Sequence, residues 1–140
     1  MHCPFCDIQK EEKGKILRDN KYTFVVLSDP RLMSGHLLVI PKRHVERMVE
    51  LTKEEREEFF DQTIELQEKI LGTVAQGCDI SEHYRPFLPN GKLKVAHLHM
   101  HIRPRSLDDD LYMKVQIHEK DIFLPPTQEE FERFKNLLKE

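Results

Sequence analysis

His97, His99 and His101 alternate with Leu98, Met100 and Ile102. Side chains of a strand point alternately to its two faces. The spacing therefore predicts a strand with Ala96, Leu98, Met100 and Ile102 toward a core and three imidazoles together on the other face. Near neutral pH an imidazole serves as nucleophile, proton donor or metal ligand. Three uses are open on these residues alone. The central ring attacks an electrophile such as phosphorus while its neighbours orient it; a pair at i and i+2 shares a zinc ion in an open catalytic site; or the face is simply solvated. Cys3-Pro4-Phe5-Cys6 adds two sulfurs whose spacing suits structural zinc or a redox dithiol. Zinc in a structural site would need two further nitrogen or sulfur ligands.

Elements must hold these groups in place. Residues 15 to 29 run from a short apolar edge through a polar turn at Asp19 and Asn20 into a β-branched and aromatic run, which predicts a hairpin. Leu37-Leu38-Val39-Ile40, introduced by Ser34-Gly35-His36 and closed by Pro41, reads as a third strand. Thr52 and Glu55 form a capping box. Phe59, Phe60, Thr63, Ile64, Gln67, Ile70, Leu71 and Val74 follow at helical spacing, so a long helix is expected over residues 52 to 76, ended by Gly77 and Asp79. His83 to Phe87 reads as extended, Pro89-Asn90-Gly91 as a turn, and Tyr112 to Ile117 alternates weakly. Thr127 and Glu130 repeat the capping box before a terminal helix. Its stripe of Phe131, Phe134, Leu137 and Leu138 should pack on something already folded. Strands separated by one long helix, with short polar turns between neighbours, favour an antiparallel α+β domain of about five strands with a C-terminal helix.

Composition narrows the function classes. The 140 residues fit one domain spanning 1–140. Net charge is −3 from 22 basic and 25 acidic residues, without a block of like charge, which disfavours nucleic acid as a partner. No apolar run reaches membrane-spanning length, and the amino terminus lacks the basic and apolar regions of a secretory signal. A cytoplasmic protein without a membrane partner is expected. Three cysteines cannot build a disulfide framework.

Cys3-Pro-Phe-Cys6, Ser34-Gly35-His36-Leu-Leu-Val-Ile-Pro41-Lys-Arg-His44 and His97-Leu-His-Met-His-Ile-Arg-Pro-Arg105 together resemble the histidine-triad superfamily of nucleotide-binding proteins over residues 3 to 105. The resemblance implies a nucleotide hydrolase or nucleotidyl transferase, acting on a nucleoside phosphoramidate, a dinucleoside polyphosphate or a related conjugate. His99 would attack the α-phosphate and carry a nucleotidyl-histidine intermediate. His101 would contact the phosphate. His36 would support the pocket, or be a packed structural histidine. Members with an amino-terminal Cys-x-x-Cys imply a structural zinc held by Cys3, Cys6, His44 and His97, with His44 otherwise a surface residue at a strand end. A homodimer is also implied.

The chain departs from the family pattern in two places. Lys92-Leu93-Lys94-Val95 stands where many relatives carry glutamine and a small hydroxyl, so Lys94 would pair with phosphate as a point cation or face solvent. Ser28 stands where relatives place a ribose-binding aspartate, with Asp29 one residue away. Asn90 lies near a phosphate-contacting asparagine of the family, or serves its turn. His83 and His118 are read as ordinary surface or packing residues, and His2 as a stray ligand at most. The alternative to an enzyme is a zinc-stabilised nucleotide-binding or scaffolding protein without turnover.

Overall fold

Proline, glycine and β-branched residues punctuate the described residues into five strands and three α-helices. The computed structural model describes residues 2–91, 93–116 and 122–139. In chain order these are α1 (Pro4–Glu11), β1 (Ile16–Asp19), β2 (Thr23–Leu27), β3 (Leu37–Pro41), α2 (Lys53–Ile70), β4 (Gly77–Glu82), β5 (Met100–Arg105) and α3 (Gln128–Leu137). The strands form one antiparallel sheet in the order β1-β2-β3-β5-β4. This is the α+β architecture the sequence leads one to expect.

Each face of the sheet carries a different load. On one face α2 lays Phe59, Leu66 and Ile70 against Val25, Val39, Met100 and Ile102. Phe59 and Ile102 are fully buried, and removing side chains of that size from water contributes about 1.5–3 kcal/mol each. On the other face α1 sets Phe5 against Phe24, Val26, Leu38 and Ile40. The smaller cluster leaves the β5 and β4 end of that face to polar residues.

Four expectations are corrected. The long helix stops at Ile70 and not at residue 76, because Leu71 leaves the helical region and Gly72 turns at φ 79, a conformation glycine adopts freely. Its buried stripe is Glu55, Phe59, Thr63, Leu66 and Ile70, while Phe60 and Ile64 face outward. Gly77 to Glu82, read as a helix end, is the edge strand β4, and its alternation is too polar to show a strand by pattern. Tyr112–Gln116 is a π-helical turn and not a strand; Ile117 and His118 lie outside the described residues. The terminal helix forms where expected, capped by Thr127, but Phe131, Phe134, Leu137 and Leu138 are all exposed. The histidine strand holds with one adjustment. Its ladder begins at Met100, and the chain bends at Ala96 and His97 before reaching it, anchored where Leu98 N–H donates to Val45 O at 2.7 Å.

Candidate active site and metal cluster

Cys3 caps α1 from outside, and Pro4 follows at the first helical position, where its missing N–H costs nothing. Cys6 is then one turn on, its N–H donating to Cys3 Sγ at 3.5 Å, so both sulfurs share one side of the helix start. His44 comes from the segment after β3, which Arg43 clamps to α2 through Glu55 at 2.8 and 3.2 Å and to the turn before α2 through Glu50 O at 2.7 Å. His97 completes the group. Its Nε2–H donates to Pro41 O at 2.8 Å, which leaves the Nδ1 lone pair aimed at the other three.

Nδ1 of His97 lies 3.4 Å from Cys3 Sγ, 3.7 Å from Cys6 Sγ and 3.1 Å from His44 Nδ1; Cys6 Sγ to His44 Nδ1 is 3.5 Å. A zinc tetrahedron with bonds of about 2.0–2.3 Å has edges of roughly 3.3–3.8 Å, so two sulfurs and two nitrogens here have the type and spacing of a closed four-ligand site. The ligand atoms of all four residues lie within 4.8 Å of one another. Burial and the neighbouring Cys3 thiol push the Cys6 thiol up to about 11. A divalent cation among these atoms would reverse that preference, since coordinated thiols lose their proton.

One residue pair further along, the histidines do something else. His99 Nδ1–H donates to His97 O at 2.7 Å, so the lone pair of its other nitrogen, Nε2, is uncommitted in that contact. Burial lowers the His99 pKa against the opposing pull of that backbone bond, which favours the neutral, nucleophilic ring. His101 is fixed by a chain of tautomers. Leu32 N–H donates to His36 Nδ1 at 3.2 Å, so a neutral His36 carries its proton on Nε2. That nitrogen sits 3.0 Å from His101 Nδ1 and donates to it. A neutral His101 must then carry its own proton on Nε2, as a hydrogen-bond donor.

Both rings are held neutral. Burial, then the Arg103 charge, lowers His36 to about 4. Burial, then His99 and Arg103, lowers His101 to about 2. The Gly35-His36 pair has a structural reason as well. Gly35 turns at φ 80 and lies so near Pro104 that a Cβ would meet Pro104 Cγ at 3.2 Å, so glycine lets the chain swing His36 under His101.

The remaining expected residues are placed less centrally. Ser28 and Asp29 lie on the loop from β2 to β3, where Ser28 Oγ donates to Pro30 O at 2.9 Å and Asp29 is exposed. Lys94 Nζ donates to Asn90 Oδ1 at 3.1 Å across the turn at Gly91, so the two bind each other; Lys92 lies outside the described residues. A cleft of about 1070 Å³ opens beside them, and its walls include Cys3, Cys6, His44 and His97. This cleft opens on the metal corner, and neither His99 nor His101 is among the residues that line it. Phe5 bridges the two corners, its ring edge-on to His97 and His99 with centroids 5.7 and 5.0 Å away.

Two further residues stand on this face. His83, expected at the surface or in packing, packs by stacking on His101 with ring centroids 4.7 Å apart and planes 29° apart. Arg103 continues the His99, His101 alternation on the same face of β5. The signal for Arg103 was the alternation itself, carried two residues past the last histidine. For His83 no local pattern existed, because its position depends on the register of β4 against β5.

The sequence and fold both have relatives. The HIT domain model matches residues 9–107. The uncharacterized HIT-like protein MJ0866 of Methanocaldococcus jannaschii is 30% identical over 119 residues, covering 80% of this chain and 85% of that protein. Adenosine 5'-monophosphoramidase hnt1 of Schizosaccharomyces pombe is 29% identical over 113 residues, 78% of each chain. The nitrilase and fragile histidine triad fusion protein NitFhit of Caenorhabditis elegans is 27% identical over 128 residues, but the match spans only 27% of its length. Among solved structures, a HIT family protein from Bacillus subtilis superposes with a TM-score of 0.75 at 23% identity, covering 99% of this chain and 95% of its own. A Zn-bound histidine triad family protein from Mycobacterium smegmatis gives 0.64 at 24% identity, covering 79% and 80%.

Proposed function

The chain belongs to the HIT domain family, and from that premise we propose that it is a nucleotide hydrolase or nucleotidyl transferase working through His99. The observation that carries this reading is the His99 Nδ1–H bond to His97 O, which leaves the lone pair on Nε2 for attack. Nε2 bonds to the α-phosphorus, and the bond from phosphorus to the leaving group breaks with its electron pair on that group. His101, with its Nε2–H set by the His36 contact, donates to the phosphoryl oxygens as charge builds. Water or another acceptor then attacks the same phosphorus, the P–N bond breaks, and the electron pair returns to His99. Ser28 or Asp29 would meet the ribose, and Asn90 with Lys94 the outer phosphate region. The similarity to hnt1, an adenosine 5'-monophosphoramidase, supports a nucleotide carrying a phosphorus–nitrogen bond among the candidate substrates.

Zinc fits the Cys3, Cys6, His44 and His97 group, and the Zn-bound relative supports that choice. Bound there it would be structural, since four protein ligands leave no open position. The chemistry it would supply is orientation: fixing His97 fixes the carbonyl that sets the His99 tautomer. A cytoplasmic homodimer completes the proposal. None of the three cysteines is paired in a disulfide, which suits a reducing compartment, and the exposed apolar residues of α3 offer a second copy something to bury. No described helix is long and apolar enough to cross a membrane.

A substrate panel read by product identity tests the activity. The expected product is a nucleoside monophosphate, formed by the parent and lost in His99→Ala. Micromolar binding of a monophosphate with no product from any substrate would favour the binding-protein reading instead.

A further inference from the structure

Two side-chain atoms on the histidine face, Ser81 Oγ and Arg103 Nε, are buried with no hydrogen-bond partner among the described residues. They are neighbours. Ser81 pairs directly with His101 across β4 and β5, and Arg103 follows His101 by two residues on the same face, so the two sit on one diagonal of the ladder. A buried donor left unpaired is costly, and two side by side mark a place where something outside the chain completes their bonds.

The neighbouring arginine shows what a satisfied guanidinium on this strand looks like. Arg105 binds both oxygens of Asp109, at 2.7 and 3.2 Å, and also pairs with Asp79. Asp79 is the residue directly opposite Arg103 in the ladder, yet its carboxylate goes to Arg105. Among the described residues Arg103 makes no ion pair. Its charge instead acts on His36, His83 and His101, and Arg85 adds a second positive charge near His83.

We propose that Arg103 and Ser81, flanked by His83, form a second anion subsite beside His101 that binds a further phosphoryl group of the substrate, beyond the one His99 attacks. The proposal rests on the nucleotide reading of His99. The subsite lies on the β4 side of β5, whereas the loop carrying Ser28 and Asp29 enters from the β3 side. The nucleoside and the extra phosphate therefore occupy opposite sides of the reactive strand, which places the extra phosphate on the leaving group. The enzyme then favours nucleotides that leave a phosphate over those that leave a neutral amine. Guanidinium and hydroxyl donors suit that oxygen-rich anion, and burial strengthens each bond.

The test compares adenosine 5'-monophosphoramidate with diadenosine tetraphosphate in the parent, Arg103→Gln, Arg103→Lys and Ser81→Ala. Arg103→Gln should lower the ratio of kcat/KM for the tetraphosphate over the phosphoramidate by about tenfold or more, chiefly through KM, with Lys restoring part and Ser81→Ala giving a smaller shift. Binding of inorganic tripolyphosphate, followed by calorimetry, should weaken in parallel. An unchanged ratio with unchanged tripolyphosphate affinity overturns the subsite, as does a fall in Tm without any change in discrimination, which marks a structural guanidinium. If neither nucleotide is turned over, the nucleotide-hydrolase reading fails. Tripolyphosphate affinity then decides the subsite alone, since Arg103→Gln must still weaken it.

Discussion

His97 and His99 are the same side chain two residues apart, and the structure gives them opposite fates. His97 is 1% exposed and has both nitrogens engaged, Nε2 by Pro41 O and Nδ1 among Cys3, Cys6 and His44. His99 has Nδ1 engaged by His97 O and its other nitrogen available for chemistry. The difference arises from which backbone carbonyl each ring meets. Pro41 O turns the Nδ1 lone pair of His97 inward to the ligand cluster, while His97 O leaves the lone pair of His99 on Nε2. Histidine chemistry on this strand is thus assigned by tautomer, and tautomer by main-chain position.

Breaking each corner separately should separate the two fates. His99→Ala should lower turnover by roughly 10³-fold or more while zinc content by metal analysis stays at the parent level. His36→Ala removes the donor that fixes the His101 tautomer, and steady-state kinetics should show kcat down by roughly 10- to 100-fold with metal again retained. Cys3→Ala or Cys6→Ala should do the reverse. Zinc is lost and Tm falls by on the order of 10 °C, while kcat falls less than in the His36 variant. Full zinc in both cysteine variants would overturn the ligand assignment.

The smallest effect concerns pH. His36 titrates at about 4 in the fold against 6.5 ordinarily, so between those values the unfolded chain binds the extra proton. That makes stability fall as pH drops from 6.5 toward 4 and adds no pH dependence above 6.5. Denaturant melts across this window should show a shallower loss in His36→Gln than in the parent.

What the sequence makes legible follows from how local each signal is. The alternation at His97 to Ile102 and the Cys3 to Cys6 spacing are encoded within a few residues; the first reads correctly as a strand only from Met100 onward, and the second brings both sulfurs to one cluster. The Cys3 and Cys6 pair, His44, His97 and His36 come from separate segments, and only the resemblance links them, because nothing local joins one segment to another. The end of α2 is not legible in the sequence, since Leu71 and Val74 continue the apolar spacing past Gly72, and the left-handed turn there wins over periodicity. The strand β4 has no apolar alternation to reveal it, and it takes its identity from pairing with β5. With it, His83 and the Ser81 to Arg103 diagonal were also out of reach. The apolar stripe of α3 was legible as a stripe. Its burial was not, because amphipathicity says that a face needs a partner and not where that partner is.

The central claim is that His99 becomes covalently bonded to phosphorus. Mass spectrometry of the protein, acid-free quenched during turnover of a nucleoside phosphoramidate and digested, addresses it most directly. The account predicts a nucleoside monophosphate adduct on the peptide containing His99, present in the parent and in Cys3→Ala and missing from His99→Ala. Turnover that persists unchanged in His99→Ala, or an adduct mapped to His97 or His101, would contradict it.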